Sequence, residues 1–568
     1  MKTFLFYRIS AVLFALLLLL TNASILAFAS EGLDVEMPPP EAQPIISSDD
    51  EWYAGEAFDE WLLAAETEVA YEGILPLSMI FSQEEIEDPY IWYAVPGRVV
   101  TLAATPANTA YTRLLAEIEV APADTITHIV IPFHINTGNI GANVSVVTVS
   151  DGATVVLIGD VSGGQAVISD TDNSSAVSQI FRVRGTSNEQ TALVLRNIVL
   201  QKSGSAGQGT PNRSPDPLAL SAQTDNSRGG GIAIENSGNG GGQVILCRGS
   251  IIRNSSTDNR GPVDVQTNGR FTMMPGSEMH TNKAENAGGA VHVGQNATFN
   301  MRGGTLRNNL ANGARAPTAA ETSAGVIPRE RGVGGAVIVR ESGTFNMFGG
   351  EIHNNLASHT GSVSATNAVG TSNGGGVFII GAGSTFHMYG GTIRNNEARR
   401  TDQASNVITA ANRAAFRSGN GGGVYVTGGA EFHMYGGYIH SNTATATGSA
   451  ASSDNGGNAL NVSNGGGVYL TGDGTAFHMH GGKISENIAH RTVNSAPTMT
   501  GTSAMQVFAG NGGGVHIFDG ASFYMQGGEI SGNIARETGG QVTNNVANAA
   551  NLGNGGGVFV SGSTVPSS

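Results

Sequence analysis

The sequence predicts an all-β fold, a parallel β-solenoid in which one short unit is repeated and stacked. Three observations predict it. A glycine-rich unit recurs, as in "GGGVYVTGGAEFHMYGGYIHSNTA" at residues 421–444. Apolar and polar residues alternate within each unit, which is typical of strands. An asparagine stands at the same place near the end of each unit.

The repeat is constant within each unit and variable between units. A valine follows the glycines at intervals of 40 to 47 residues, and a phenylalanine follows each valine after 8 or 9 residues. An aliphatic residue comes 7 residues after each phenylalanine. This constant spacing predicts one coil per unit, with each coil stacked on the previous one at about 4.8 Å.

Each unit is predicted to supply three short strands. In "VYV" the valines face the core and Tyr425 faces out. In "FHMY" Phe432 and Met434 face in, while His433 and Tyr435 face out. Paired glycines separate the strands, which suits corners that need positive φ or close backbone approach.

The recurring asparagine predicts a ladder of side-chain hydrogen bonds. It follows the inward aliphatic residue, so the amides of successive coils would bond to one another and to the turn backbone. The predicted ladder comprises Asn254, Asn282, Asn309, Asn355, Asn396, Asn442, Asn487 and Asn533.

The segments between the later units are predicted to be inserted loops. They are rich in Ser, Thr, Asn, Ala and Gly, as at residues 445–464 and 491–511. Val263 and Val291 lie only 28 residues apart, so one coil can close without an insertion.

The regular repeats occupy residues 229–568, and residues 122–228 are predicted to form less regular first coils. Residues 107–121 predict a short amphipathic helix whose Leu114, Leu115 and Ile118 would cover the open end of the first coil. The last unit starts at Gly555 and stops before its Phe-x-Met and asparagine, so we expect the chain to be truncated at its C-terminus.

The N-terminus has the features of a secretory signal peptide. Lys2 and Arg8 precede a continuous apolar run, and Ala27 and Ala29 supply the small residues of a cleavage site. Residues 1–29 are therefore expected to be removed after Ala29, with the mature chain secreted or at the cell surface. The alternative is a retained membrane anchor, which the shortness of the run disfavours.

Acidic residues concentrate in a leader at residues 30–106. The chain has 45 acidic and 29 basic residues, a net charge of −16, and residues 31–88 contain 17 acidic and no basic residues. This acidic, Pro-containing composition favours an extended linker. Without a basic surplus, the chain shows no electrostatic footprint for nucleic acid. The single cysteine, Cys247, excludes an internal disulfide framework and is expected to be a small buried filler.

The repeated units, the upstream strand "LVLRNIVL" and the signal peptide resemble bacterial secreted right-handed parallel β-helix proteins of the pectin-lyase-like fold. The resemblance covers the chain from Pro122 onward. It implies a right-handed solenoid and an extracellular protein, adhesin-like or carbohydrate-directed. A weaker likeness to polymorphic outer-membrane proteins rests on "GGAV" at Gly288 and Gly334. Their companion FxxN tetrapeptide occurs only at Phe133 and Phe508, away from the repeating phenylalanine, so that family is not adopted.

Outward positions of successive units form two columns of candidate binding residues. Exposed aromatic columns bind sugar rings or partner proteins, although stacked rings can also simply stabilise a sheet. The candidates are Phe378, Tyr425, Tyr469 and His516 in one column and His387, His433 and His478 in the other. No metal site is predicted, because the histidines share one flat face without an acidic column beside them.

No catalytic residues are predicted. Enzymes that cleave acidic polysaccharides need grouped carboxylates, whereas Glu351 and Glu529 stand four units apart. For an enzyme, the best candidates would be Asp170, Asp172, Arg182 and Arg184. We therefore expect a non-enzymatic, adhesin-like protein that presents loops and aromatic columns to a glycan or a protein on a host or cell surface, without a cofactor. The alternatives are a secreted polysaccharide lyase or glycoside hydrolase, and a passive surface stalk.

Overall fold

The structure is a computed structural model that describes a set of segments between residues 97 and 561. Contacts divide the chain into two units, Met1–Pro76 and Leu77–Ser568, and the described residues belong to the second. The predicted signal peptide and residues 30–96 of the predicted leader lie outside them. The described segments are 97–103, 107–123, 126–136, 147–149, 152–161, 164–170, 179–185, 191–202, 231–236, 242–257, 260–313, 331–359, 371–401, 417–448, 459–493, 506–539 and 550–561.

The described residues form long parallel sheets of stacked strands, and this arrangement fits the predicted β-solenoid. Each strand pairs with the equivalent strands of the coils before and after it. We name each sheet after the sequence feature of its strands.

The FxM sheet contains the Phe-x-Met strands. Its 12 strands are Gly97–Thr101, Ile126–Ile131, Thr154–Gly159, Thr191–Arg196, Gly242–Leu246, Arg270–Met273, Thr298–Met301, Thr344–Met347, Thr385–Met388, Glu431–Met434, Ala476–Met479 and Ser522–Met525.

The GGGV sheet contains the strands that start at the valine after the glycines. Its 11 strands are Val147–Val149, Gln179–Gly185, Gly231–Asn236, Val263–Val265, Val291–Val293, Val337–Arg340, Val377–Ile380, Val424–Thr427, Val468–Thr471, Val515–Phe518 and Val558–Ser561.

The GGxI sheet contains the strands after the second glycine pair. Its 11 strands are Ile135–Asn136, Ala166–Asp170, Ile198–Lys202, Ile251–Arg253, Glu278–His280, Thr305–Arg307, Glu351–His353, Thr392–Arg394, Tyr438–His440, Lys483–Ser485 and Glu529–Ser531.

A fourth sheet, the post-Asn sheet, follows the recurring asparagine. Its 8 strands are Ser256–Thr257, Lys283–Ala284, Leu310–Asn312, Leu356–His359, Glu397–Thr401, Thr443–Gly448, Ile488–Val493 and Ile534–Gly539. A smaller sheet, the insertion sheet, precedes the glycines of the later units. Its 4 strands are Arg417–Ser418, Ala459–Val462, Gln506–Ala509 and Ala550–Leu552.

These last two sheets correct the prediction of three strands per coil joined by inserted loops. Both ends of the segment 445–464 are strands, since Thr443–Gly448 and Ala459–Val462 pair with neighbouring coils. The composition of these segments concealed the strands, because Gly, Asn and Ala are depleted in strands. Backbone pairing with equivalent segments and a recurring buried alanine, such as Ala398, Ala444 and Ala489, hold the post-Asn strands together.

The core is a column of identical side chains inside the stacked coils. Phe345, Phe386 and Phe432 are fully buried, and their ring centroids lie 4.6 and 4.8 Å apart with nearly parallel planes. The alternation predicted for these strands is therefore confirmed. Each buried ring contributes about 1.5–3 kcal/mol through removal from water, and because equivalent residues stack, the contribution is repeated in each coil from Phe271 to Phe477.

The glycines permit the coils to approach closely at one corner. A Cβ on Gly422 would lie 2.4 Å from the carbonyl oxygen of Gly466 and 2.5 Å from a backbone carbon of Thr443. Gly421 has a φ of +68°, which L side chains rarely adopt. No larger residue fits at Gly422 without displacing the next coil.

Side-chain hydrogen bonds connect the recurring asparagines. Asn396 donates its backbone N–H and its Nδ2–H to Oδ1 of Asn442, both at 3.0 Å, and Asn442 donates in the same way to Asn487. The second Nδ2–H of Asn442 donates to the Ile393 carbonyl oxygen at 2.9 Å. The same pattern joins Asn282, Asn309, Asn355, Asn396, Asn442, Asn487 and Asn533, which we call the asparagine row.

Asn254 does not belong to this row, contrary to the sequence prediction. The buried aliphatic residue of that coil is Ile252 rather than Ile251, so the row position three residues later is Ser255. The Ser255 backbone N–H donates to Asn282 Oδ1 at 3.1 Å. Asn254 occupies the preceding corner, where its φ is +56°.

The predicted helix is present as Ala107–Glu119. Leu114 and Ile118 are buried in the core, and Leu115 packs against it. The helix contacts the strands Ile135–Asn136 and Val147–Val149, each the first of its sheet.

The strand Gly97–Thr101 pairs with Ile126–Ile131, so the FxM sheet extends into the range assigned to the leader. Within the described residues, no helix has the length and hydrophobicity needed to cross a bilayer.

Candidate functional site

The first predicted binding column, on the GGGV sheet, is buried rather than exposed. Phe378, Tyr425, Tyr469 and His516 have relative exposures of 3%, 4%, 0% and 0%. Their rings lie 5.0–5.2 Å from one another, so each covers its neighbours. Val333, Ile338 and Phe518 complete an apolar cluster around them. These four residues are a second core, and they offer no surface to a ligand.

The second predicted column, on the FxM sheet, lies at the surface. His387, His433 and His478 stack with ring centroids 5.0 and 4.7 Å apart, and Tyr524 continues the stack at 4.8 Å. The inward neighbours Phe432 and Met434 are buried, so strand alternation directs the imidazoles outward. Tyr524 is 51% exposed.

A second column of rings lies beside the histidines. Its members directly follow the ends of the FxM strands, two residues after the histidine position. Phe348, Tyr389, Tyr435 and His480 stack at centroid distances of 5.1, 4.9 and 4.8 Å. Tyr435 is 39% exposed, whereas Phe348 at the early end is buried. We call the two columns together the imidazole platform, defined by His387, Tyr389, His433, Tyr435, His478, His480 and Tyr524.

The two columns of the platform lie side by side. The ring centroids of His433 and Tyr435 are 6.2 Å apart with planes 12° from parallel, and those of His433 and His480 are 6.1 Å apart. The rings of the two columns therefore share nearly one orientation, and the three histidines of the FxM strands are half-buried.

Burial favours the neutral form of two platform histidines, His387 and His478. Partial burial, reinforced by His433, lowers the pKa of His387 to about 4. Burial also lowers the pKa of His478, again with a smaller contribution from His433. Neutral imidazoles stack without charge repulsion, and they leave ring nitrogens able to accept as well as donate hydrogen bonds.

One carboxylate stands at the platform. Glu431 begins the strand of His433, and its Oε2 lies 3.1 Å from His433 Nε2. The ligand atoms of Glu431, His433 and His478 all lie within 4.8 Å of one another. The sequence did not indicate this grouping, because no column of acidic residues runs beside the histidines. A single glutamate lies close to two stacked histidines.

A second charged group lies on the first strands of the GGGV sheet. Glu235 bridges Arg182 and Arg184 at 3.2 and 3.0 Å. Asp264 lies 2.9 Å from His292, and both side chains are buried. A polymer cannot reach the buried Asp264–His292 pair, whereas the Arg182 and Arg184 side chains are 35% and 42% exposed. Both sets of contacts join neighbouring coils of the GGGV sheet. Asp170 belongs to the GGxI sheet, away from the two arginines with which sequence reasoning grouped it, and Asp172 lies outside the described residues.

Cys247 is buried, as expected for a filler residue. Burial raises the pKa of its thiol to about 12, an effect that Arg196 only partly offsets. The thiol is therefore protonated at neutral pH and unreactive.

Comparison with protein-family models, curated proteins and solved structures finds no match to this chain.

Proposed function

We propose that this chain is a secreted or surface-displayed adhesin-like protein whose imidazole platform binds glycans. One observation supports the proposal above others: two columns of stacked rings form a continuous face over four coils, with Tyr435 and Tyr524 at 39% and 51% exposure. Aromatic rings of this kind stack against the apolar faces of sugars, and their hydroxyl groups and imidazole nitrogens hydrogen-bond to the sugar hydroxyls.

The proposal includes the finer features of the fold. A right-handed path is favoured because crossover connections between parallel strands are right-handed in nearly all proteins. The asparagine row acts as a ladder that fixes the register of the coils. The N-terminal residues 1–29 act as the export signal, which places the platform outside the cell.

Glycan binding can be tested with two variants at the platform. Tyr435→Ser and Tyr524→Ser each remove an exposed ring from the stack and should weaken binding to an immobilised glycan about ten-fold, as expected for loss of an aromatic anchor. Tyr438→Ser is the matched control, because Tyr438 is 40% exposed but lies on the GGxI sheet.

A glycan array should first identify the ligand for the wild-type chain, and surface plasmon resonance should then compare the variants. Equal losses in all three variants would place the binding surface elsewhere. A chain that binds no glycan or cell surface would instead support the passive stalk.

A further inference from the structure

The imidazole platform contains a cluster of side chains suited to a metal ion. Glu431 and His433 share one strand, and His478 follows on the next strand in register with His433. The Glu431 Oε2 to His433 Nε2 distance is 3.1 Å, and all three donor atoms lie within 4.8 Å. Two imidazoles and one carboxylate are the donor set of many zinc sites.

Glu431 differs from the carboxylates on the neighbouring sheet. Glu351 lies 2.8 Å from the Arg394 guanidinium, and Glu529 lies 3.2 Å from the Lys483 ammonium. Among the described residues, the ion pair formed by Glu431 is with His433. No described arginine or lysine forms an ion pair with this carboxylate, so it can contact a cation without first breaking such a pair.

The strand register brings a glutamate beside two histidines at one place on the platform. The residues that pair with Glu431 in the adjacent coils are Thr385 and Ala476. His387 stacks on His433 much as His478 does, but its own strand carries Thr385 at the glutamate position. The cluster therefore occurs once among the described strands of the FxM sheet.

Closing the cluster on one ion requires a rearrangement of the stacked rings. The His433 and His478 rings are parallel, with centroids 4.7 Å apart, so both nitrogens reach one ion only after one ring turns about its Cβ–Cγ bond. The outer faces of the two rings stack on His387 and Tyr524, with centroids 5.0 and 4.8 Å away, so such a turn also displaces a neighbouring ring. His480, with its centroid 6.1 Å from that of His433, offers a third imidazole.

We propose that Glu431, His433 and His478 bind one divalent transition-metal ion, Zn²⁺ or Cu²⁺, at the surface of the solenoid. Imidazole with carboxylate favours these ions over Mg²⁺ and Ca²⁺, which prefer all-oxygen sites. The proposal does not depend on glycan binding, since it uses only the donor atoms and their spacing.

Metal binding can be measured on the full chain, prepared without a polyhistidine tag and treated with a chelator. Isothermal titration with Zn²⁺, and electron paramagnetic resonance with one equivalent of Cu²⁺, should show one site, with nitrogen hyperfine coupling in the Cu²⁺ spectrum. Glu431→Gln should weaken binding at least about ten-fold, and His478→Asn should remove the one-to-one stoichiometry.

Glu351→Gln is the matched control, because Glu351 also faces a histidine, with its Oε2 3.7 Å from His353 Nε2, but is paired with Arg394. This variant should bind metal like the wild type. Circular dichroism of each variant checks that it folds. The proposal is wrong if the wild type shows no one-to-one binding, or if Glu431→Gln binds as tightly as Glu351→Gln. Since no glycan is present, neither result bears on glycan binding.

Discussion

At the scale of single residues, the asparagine row satisfies every polar atom of its amides. Each internal side chain donates both Nδ2–H groups, one to the next asparagine and one to a backbone carbonyl of the previous coil. Its Oδ1 accepts two bonds from the asparagine before it. Among side chains of this length, only asparagine has two N–H donors and an oxygen that accepts two hydrogen bonds. This explains why asparagine recurs at the position.

Asn442→Ala should destabilise the protein by about 1–3 kcal/mol. The change removes the bonds that Asn442 makes to Asn396, Asn487 and the Ile393 carbonyl, and leaves buried partners unpaired. Urea unfolding followed by circular dichroism would measure the loss. Thr447→Ala, at a half-exposed position five residues later, is the control and should change stability by less than about 0.5 kcal/mol. Similar losses in the two variants would argue against a special role for the row.

At the scale of strands, the sequence predicted on which face of a strand a side chain lies, but not how exposed that side chain is. Period-two alternation placed Tyr469 and His433 correctly on outward faces, since it depends only on backbone geometry. It could not show that Tyr469 is buried, because that burial comes from rings in neighbouring coils and from the cluster around Val333 and Phe518. The grouping of Glu431, His433 and His478 was likewise hidden, since the register brings His478 beside a strand 45 positions earlier in the chain.

The buried column of the GGGV sheet should make stability sensitive to acid. Burial lowers the pKa of His516 from 6.5 to about 3, so between these values the unfolded chain binds a proton that the folded chain does not. The contribution of His516 to the free energy of unfolding is therefore fully present above pH 6.5, and it is lost as the pH falls towards 3. The loss amounts to roughly 3 kcal/mol by pH 4.

His516→Phe should reduce this dependence. Phenylalanine fits the position, because Phe559 occupies it in the next coil and Phe378 in an earlier one. Thermal melts at pH 7 and pH 4 should show a smaller drop in melting temperature for the variant than for the wild type. An equal drop would mean that His516 is charged or solvated in the folded state.

At the scale of the whole molecule, the repeat made most of the architecture predictable. Parallel all-β structure, stacked equivalent strands and the helix at 107–119 followed from spacing and periodicity. The post-Asn and insertion sheets did not, because their segments are rich in Gly, Asn and Ala, which are depleted in strands. The residue that recurs in the core of the post-Asn strands is a small one, an alanine such as Ala444 or Ala489.

The central claim is that equivalent residues of successive units stack in register. Arg270, Thr344 and Ser522 occupy one row of the FxM sheet, with Ser522 four coils from Thr344 and six from Arg270. Spin labels on cysteines at Thr344 and Ser522, and at Arg270 and Ser522, would report these separations by double electron–electron resonance. The native Cys247 is buried and should remain unlabelled.

The stacked solenoid predicts backbone separations that grow by about 4.8 Å per coil, roughly 19 Å for the first pair and 29 Å for the second. Label linkers broaden both distributions but preserve their difference of about 10 Å. If the Arg270–Ser522 distance equals the Thr344–Ser522 distance or is shorter, equivalent residues do not stack in register, and the stacked-coil fold described here is wrong.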